Sequence, residues 1–224
     1  MAGPREQEEN IVRRLLTTID QDAAVSQRKL SQEIGIAVGS VNWYLKRCVT
    51  KGLVKLHQVP VKRYLYYLTP HGFEEKARLT GDFLQSSLEL YRHGRKECDE
   101  FFRACTASGK KIIFLAGAGD FAEIAVLSSL NVGGSRPLAV IDQRNQFDNC
   151  AGVPIAASLD MATAIAGDCP AQAILLTDLS NPKATFHAIS AEAAKRGLPE
   201  DLIYVPRILN FRPERERDEL RQRG

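Results

Sequence analysis

The residues best suited to chemistry stand in the second half of the chain, in the stretch Ile112–Ile124, IIFLAGAGDFAEI. Gly117, Gly119 and Ala122 have G-x-G-x-x-A spacing, after a run of buried-strand residues and at the start of an amphipathic segment. The first glycine permits a tight turn, the second lets a phosphate approach the backbone, and Ala122 lets a helix lie close to the strand. Free amides and the positive dipole end of that helix favour an anion. Asp142 closes a second strand-like run, PLAVID, 23 residues after Gly119, where a carboxylate can accept hydrogen bonds from ribose hydroxyls. Ala118, Asp120 and Phe121 complete the turn, and Gln143 and Arg144 follow the acid. Thr177 and Asp178 end a third strand, AQAILLT, so that all these residues gather around one crevice. Asp120 and Glu123 add negative charge beside the turn, which hinders a pyrophosphate and leaves room for another phosphate-bearing ligand.

These residues need a sheet to hold them. Strand runs at Lys111–Ala116, Pro137–Asp142, Val153–Ala156, Ala171–Thr177 and Asp201–Val205 alternate with helical segments, among them Leu159–Ala166 and one starting near Asn181-Pro182. Such alternation implies a parallel sheet covered on both faces, a Rossmann-like α/β domain; a sheet that binds nothing and serves as an oligomerisation platform is the alternative. A catalytic pair is not legible. The chain has no Tyr-x-x-x-Lys, G-x-S-x-G or H-E-x-x-H, and His57, His71, His93 and His187 are scattered singly. Five cysteines, an odd number with no C-x-x-C pair, argue against a disulfide framework and against a thiolate metal site. No catalytic residue, metal or required cofactor is therefore expected.

The first half reads differently. Glu6–Asp20 carries Ile11, Leu15, Leu16 and Ile19 at one-sided helical spacing. A second helix, Ser26–Ile34, is capped by Ser26 and presents Leu30 and Ile34, and Gly35 suits a left-handed turn. A third, Ala37–Lys51, turns Val41, Leu45, Cys48 and Val49 inward and ends at Gly52. Two short strands, LVKLHQ and KRYLYYLT, follow across Val-Pro-Val as a basic hairpin. Helix, glycine turn, helix and hairpin make a winged helix-turn-helix. Between Val25 and Leu68 stand eight bases (Arg28, Lys29, Lys46, Arg47, Lys51, Lys55, Lys62, Arg63) against the single acid Glu33, so this segment is positive in an otherwise acidic chain. That is an electrostatic footprint for a polyanion. The outward face of the third helix offers Gly39, Trp43, Lys46, Arg47 and Thr50, flanked by Ser40 and Asn42. Asn42 can pair with adenine, Arg47 with guanine, and Trp43 either packs on a thymine methyl or sugar or is buried against a neighbouring helix. Lys46, Lys51, Lys62 and Arg63, with Arg28, suit phosphate contacts.

From Pro70 to Ala107 the only break is Gly81. Ala77, Leu84, Tyr91, Cys98 and Cys105 recur every seventh residue, with Leu88 and Phe102 on the alternating seam. This spacing fits a long helix that pairs two subunits, or one that packs on its own domains. Cys98 and Cys105, two turns apart, cannot bond to each other within one helix and read as core residues.

The stretch from Ser26 to Gln58, closing with YYLTPHGFEEKA, resembles winged-helix bacterial transcription regulators of the MarR type over about residues 6–80. Gly-Leu-Val before the first strand and Leu-Thr-x-x-Gly after the wing fall in that family's order, while Ala37 departs from the Ser or Thr that usually caps the third helix. The resemblance implies a third helix in the major groove of double-stranded DNA and a wing along the backbone. GAGDFAEIAVLSSL, AVIDQRNQFDNCAGVPI and DMATAIAGDCPAQAILLT, over about residues 110–198, resemble the small nucleotide-binding domains of polysaccharide-biosynthesis proteins of the CapD and PglD types. That resemblance implies a nucleotide-sugar or nucleoside diphosphate derivative as effector, NAD(H) next, and exopolysaccharide genes as targets. The order of parts is similar to that of Rex-type repressors, which use NAD(H).

Together these readings divide the chain into a winged helix (residues 1–70), a linking or dimerisation helix (71–108), a Rossmann-like ligand-binding domain (109–211) and a charged tail (212–224). They describe a DNA-binding regulator that senses a nucleotide-type ligand as a homodimer or higher oligomer. The alternatives are a nucleotide-sugar-modifying or NAD-dependent enzyme with an accessory winged helix, and a constitutive DNA-binding protein. No apolar run is long enough for a membrane helix and the start, MAGPREQEEN, is no secretory signal, so a cytoplasmic protein without a membrane partner is expected.

Overall fold

The computed structural model describes residues 4–59, 63–144 and 147–211. Lys62 and the tail from residue 212 lie outside these, as does the side chain of Arg63. The described residues form two compact units, divided between Leu88 and Glu89.

In the first unit α1 (Pro4–Gln21) buries Leu15, Leu16 and Ile19. Ser26 caps α2 (Gln27–Ile34), its Oγ accepting from Lys29 N–H at 3.2 Å, and α2 buries Leu30 and Ile34. Gly35, at φ 77°, takes the left-handed conformation that ends α2. Helix α3 (Val38–Thr50) starts at Ala37 without a side-chain cap and buries Val41, Leu45 and Cys48. Val49, expected to face inward, is 38% exposed. At 3.6 residues per turn it sits about 80° from Val41, at the edge of the apolar stripe. Strands β1 (Val54–Val59) and β2 (Arg63–Leu68) pair antiparallel, and Tyr66 N–H ties β2 to Ala23 O at 2.8 Å. The Leu68-Thr69-x-x-Gly72 sequence has a physical cause. Thr69 Oγ1 donates to Gly52 O and accepts from Gly72 N–H, and a Cβ on Gly72 would stand 2.0 Å from Leu53 O.

Helix α4 (Pro70–Ala107) runs 38 residues and contains the division between the units. Its heptad pattern is not one continuous seam. Leu79 belongs to the first unit's core, and Cys98, Phe102 and Cys105 belong to the second's. Leu84, Leu88 and Tyr91 are exposed, as is every residue from Gly81 to His93.

The second unit holds a six-stranded sheet in the order β5-β6-β4-β3-β7-β8. Strands β3 (Ile113–Ala116), β4 (Pro137–Ile141), β6 (Val153–Ala156), β7 (Ala173–Leu176) and β8 (Ile203–Tyr204) are parallel. The edge strand β5 (Asn149–Cys150), not foreseen, joins β6 antiparallel through Ala151 and Gly152 at φ 49° and 82°. Alternate strand residues bury opposite faces. Ile113, Leu115, Val140 and Leu175 pack with the second half of α4 and with α5 (Asp120–Val132). Phe114, Ala116, Ile141 and Leu176 pack with α6 (Leu159–Ile165) and α7 (Pro182–Lys195). Among the described residues no helix is long and apolar enough to cross a membrane.

Candidate nucleic-acid interface and ligand crevice

Burying Val41, Leu45 and Cys48 turns the opposite side of α3 to solvent. Gly39, Ser40, Trp43, Lys46 and Lys51 are exposed there, Asn42 and Arg47 are half-buried, and Arg28 is exposed on α2. Trp43 is 54% exposed, so the burial alternative does not hold. Lys46 is free of ion pairs among the described residues, which suits a phosphate contact. Arg47 is different. Its guanidinium is ion-paired with Glu8 of α1 and lies 5.2 Å from the Trp43 ring centroid, so it is shared between α1 and the outward face. Glu8 carried no signal of this role, because an acid in the first helix reads as a solvated residue. Beside this pair a cavity of about 310 Å³ opens among α1, α3 and the start of α4.

In the second unit the sheet brings the turn after β3 and the ends of β4 and β7 together. Strand β3 connects through α5 to β4 on one side, and its neighbour β7 connects through α7 to β8 on the other, so the strand order reverses between β3 and β7. Gly117 and Asp178 meet at that point. Gly117 sits at φ 103°, a Cβ on it would fall 2.5 Å from the Asp178 Cβ, and its carbonyl accepts from buried Thr177 Oγ1 at 2.6 Å. Gly119, at φ 147°, faces open space.

The carboxylates of this crevice are engaged internally. Asp142 Oδ2 accepts from Ala118 N–H at 2.9 Å, and Oδ1 from Arg144 N–H at 2.8 Å. The Arg144 guanidinium reaches Asp178 Oδ2 at 2.5 Å and Asp142 Oδ1 at 3.5 Å. Asp178 also accepts from Ser180 N–H, Asn181 N–H and Thr185 Oγ1. Burial pushes the Asp178 carboxyl up, but donors led by Thr185 and including Asn181 and Arg144 outweigh it and hold it below its ordinary range. The hydrogen bond to Asp178 raises Arg144 in turn. Cys150, whose thiol burial pushes up, has Gly119 N–H directed at its sulfur.

Of the turn residues, Asp120 is exposed and Ala118 is partly buried, whereas Phe121 and Ala122 point into the core. Phe121 packs where Gly94 and Ile208 leave room, so it cannot line the crevice, and Ala122 serves the close helix–sheet approach. Gln143 is exposed, Thr177 is buried, and Asp178 is nearly so. Sequence reading missed Thr185, Ser180, Asn181 and Cys150. The Asp-x-Ser-Asn-Pro run at 178–182 was the available signal for the first three, since aspartate binds amides two and three residues on.

The first unit is thus a winged helix-turn-helix, and the second a mostly parallel sheet with helices on both faces. Residues 9–55 match the family described as winged helix-turn-helix DNA-binding. No curated protein matches the chain. Among solved structures, the crystal structure of MepR, a transcription regulator of the Staphylococcus aureus multidrug efflux pump MepA, is 17% identical with a TM-score of 0.32. That alignment spans 38% of this chain and 61% of the other.

Proposed function

We propose that the chain is a DNA-binding transcription regulator whose second unit senses a small ligand. The observation that carries the reading is the outward face of α3, where Trp43 and Lys46 stand in solvent behind a core of Val41, Leu45 and Cys48. In the proposed complex α3 lies in the major groove, with Ser40 and Asn42 at base edges and Lys46, Lys51 and Arg28 on phosphates. Two copies would join along the exposed stretch of α4, which sets the distance between their reading helices.

The ligand site is the Gly117–Asp178 crevice, because parallel sheets bind ligands outside the carboxyl ends of strands where the strand order reverses. A nucleotide-sugar or nucleoside diphosphate derivative is the favoured class, NAD(H) next, with exopolysaccharide genes as targets by resemblance alone. A phosphate on the turn must displace Asp142 from Ala118 N–H. Binding would then move Asp142 and Arg144, and that movement is the sensing event. A second reading, a constitutive DNA-binding protein, is favoured by the internal satisfaction of the same carboxylates.

The test has two arms. Fluorescence anisotropy on duplex DNA should show affinity falling steeply with salt. Thermal unfolding should be screened against NAD, NADH, NADP, nucleoside diphosphates and nucleotide-sugars. A ligand at 100 times its Kd adds about 2.7 kcal/mol of stability. A shift abolished by Gly119→Val supports the sensor, and no shift with any leaves the constitutive reading. No DNA binding at low salt refutes both.

A further inference from the structure

We infer that Glu8 is a built-in counter-charge that holds Arg47 off DNA, making Arg47 a conditional contact rather than a permanent one; this rests on the DNA-binding reading above. The two side chains come from α1 and from the flank of the α3 outward face, and they form an ion pair with both partners about one-third exposed. The Arg47 guanidinium also lies over the Trp43 ring, at 5.2 Å to the centroid. It therefore stands between a DNA-facing indole and an acid on another helix. Arg47 sits about 120° round α3 from Val41, closer to the DNA-facing side than to the core, so its position alone would make it a contact. Glu8 cancels the charge that such a contact needs.

Its surroundings leave room for release. The cavity of about 310 Å³ is bordered by Arg5, Glu8, Glu9, Arg47 and Lys51, so the guanidinium is not locked in by packing on every side. Arg5 is bound to Glu9 at 3.3 Å, so that nearby cation does not take Glu8 from Arg47. An ion pair with both partners about one-third exposed is also weak enough to be broken. A polyphosphate surface offers Arg47 a denser negative charge than one carboxylate. The pair thus opposes non-specific association and yields where the groove contact is close enough to compete.

Glu8→Gln removes the charge and keeps the shape. On duplex DNA it should bind about threefold more tightly than the parent at low salt, and the slope of log affinity against log salt should steepen by about 1. In an Arg47→Ala background the same substitution should change neither. Trp43 is the only tryptophan in the chain, so intrinsic fluorescence reports on this spot without DNA. Glu8→Gln should change its emission or its quenching by acrylamide. An unchanged DNA affinity would overturn the inference whatever the Trp43 signal, as would an equal gain in the Arg47→Ala background, which would mean only that a repelling acid had been lost. Wild type that binds DNA while Glu8→Gln gains nothing sinks the counter-charge alone. Binding by neither protein sinks the DNA-binding reading and the counter-charge with it.

Discussion

Gly117→Ala should destabilise the second unit far more than Gly119→Ala, although both glycines belong to one motif. At Gly117 the added methyl meets Asp178 Cβ at 2.5 Å and its backbone N and Cα at 2.7 Å, while φ 103° is itself unfavourable to alanine. The backbone conformation costs about 1–2 kcal/mol. Overpacking against backbone, which cannot swing away, adds about 1–3 kcal/mol. At Gly119 the methyl meets nothing within 4 Å, so only the cost of φ 147° applies. Both substitutions stiffen the unfolded chain equally, so that effect cancels in the comparison. For a unit of this size each kcal/mol lowers Tm by about 3–4 °C. Scanning calorimetry should therefore place Gly117→Ala about 3–12 °C below Gly119→Ala. Equal transitions would refute the close approach of the β3 turn to Asp178 and remove the main argument that these residues form one crevice.

Trp43→Ala should weaken duplex binding about tenfold with stability changed by less than about 0.5 kcal/mol, since an exposed side chain away from the core costs little to remove; a large stability loss in urea unfolding would mean that Trp43 is a packing residue. Lys46→Ala should lower the salt slope of DNA binding by about 1 on every sequence, and a loss confined to one sequence would contradict a phosphate contact. Asp178 has its folded pKa depressed by its donors, so its stabilisation is full above the unfolded value of about 3.9 and is lost as pH falls through the lower folded value. Asp178→Asn should remove that part of the acid dependence, and urea midpoints that fall equally in both proteins between pH 5 and 2 (about the range concerned) would contradict it. Cys169 alone among the five cysteines is exposed, and burial pushes Cys48 up to about 11 and Cys98 up to about 12. An aromatic disulfide reagent at about pH 8 should titrate one thiol rapidly in the native protein and all of them in denaturant, and two rapid thiols would contradict the burial.

Much of the fold was legible because it rests on short periodicities. The Val41, Leu45, Cys48 stripe, the Ser26 cap and the Gly35 turn are each decided within a few residues, and the α3 outward face followed from them. The alternating strands likewise announced a parallel sheet. The heptads of α4 were legible only as spacing, because spacing reports that a face is apolar but not what covers it. The Cys98–Cys105 end is covered by the chain's own sheet unit, while Leu84 and Leu88 are left bare. The same limit applied to Phe121, whose place in a glycine motif suggested a ligand while its ring fills the core.

What the sequence alone determined was the class of each unit and the residues that could face DNA or a crevice. Local backbone preferences and the burial of one helix or strand face set these, and both are written in neighbouring residues. Only the tertiary structure decided how the charges are spent. Glu8 meets Arg47 across 39 residues of chain, and Asp142 caps the Ala118 amide across 24. Such pairs depend on where two distant elements are brought by their cores, and a charge carries no periodicity from which its partner can be read.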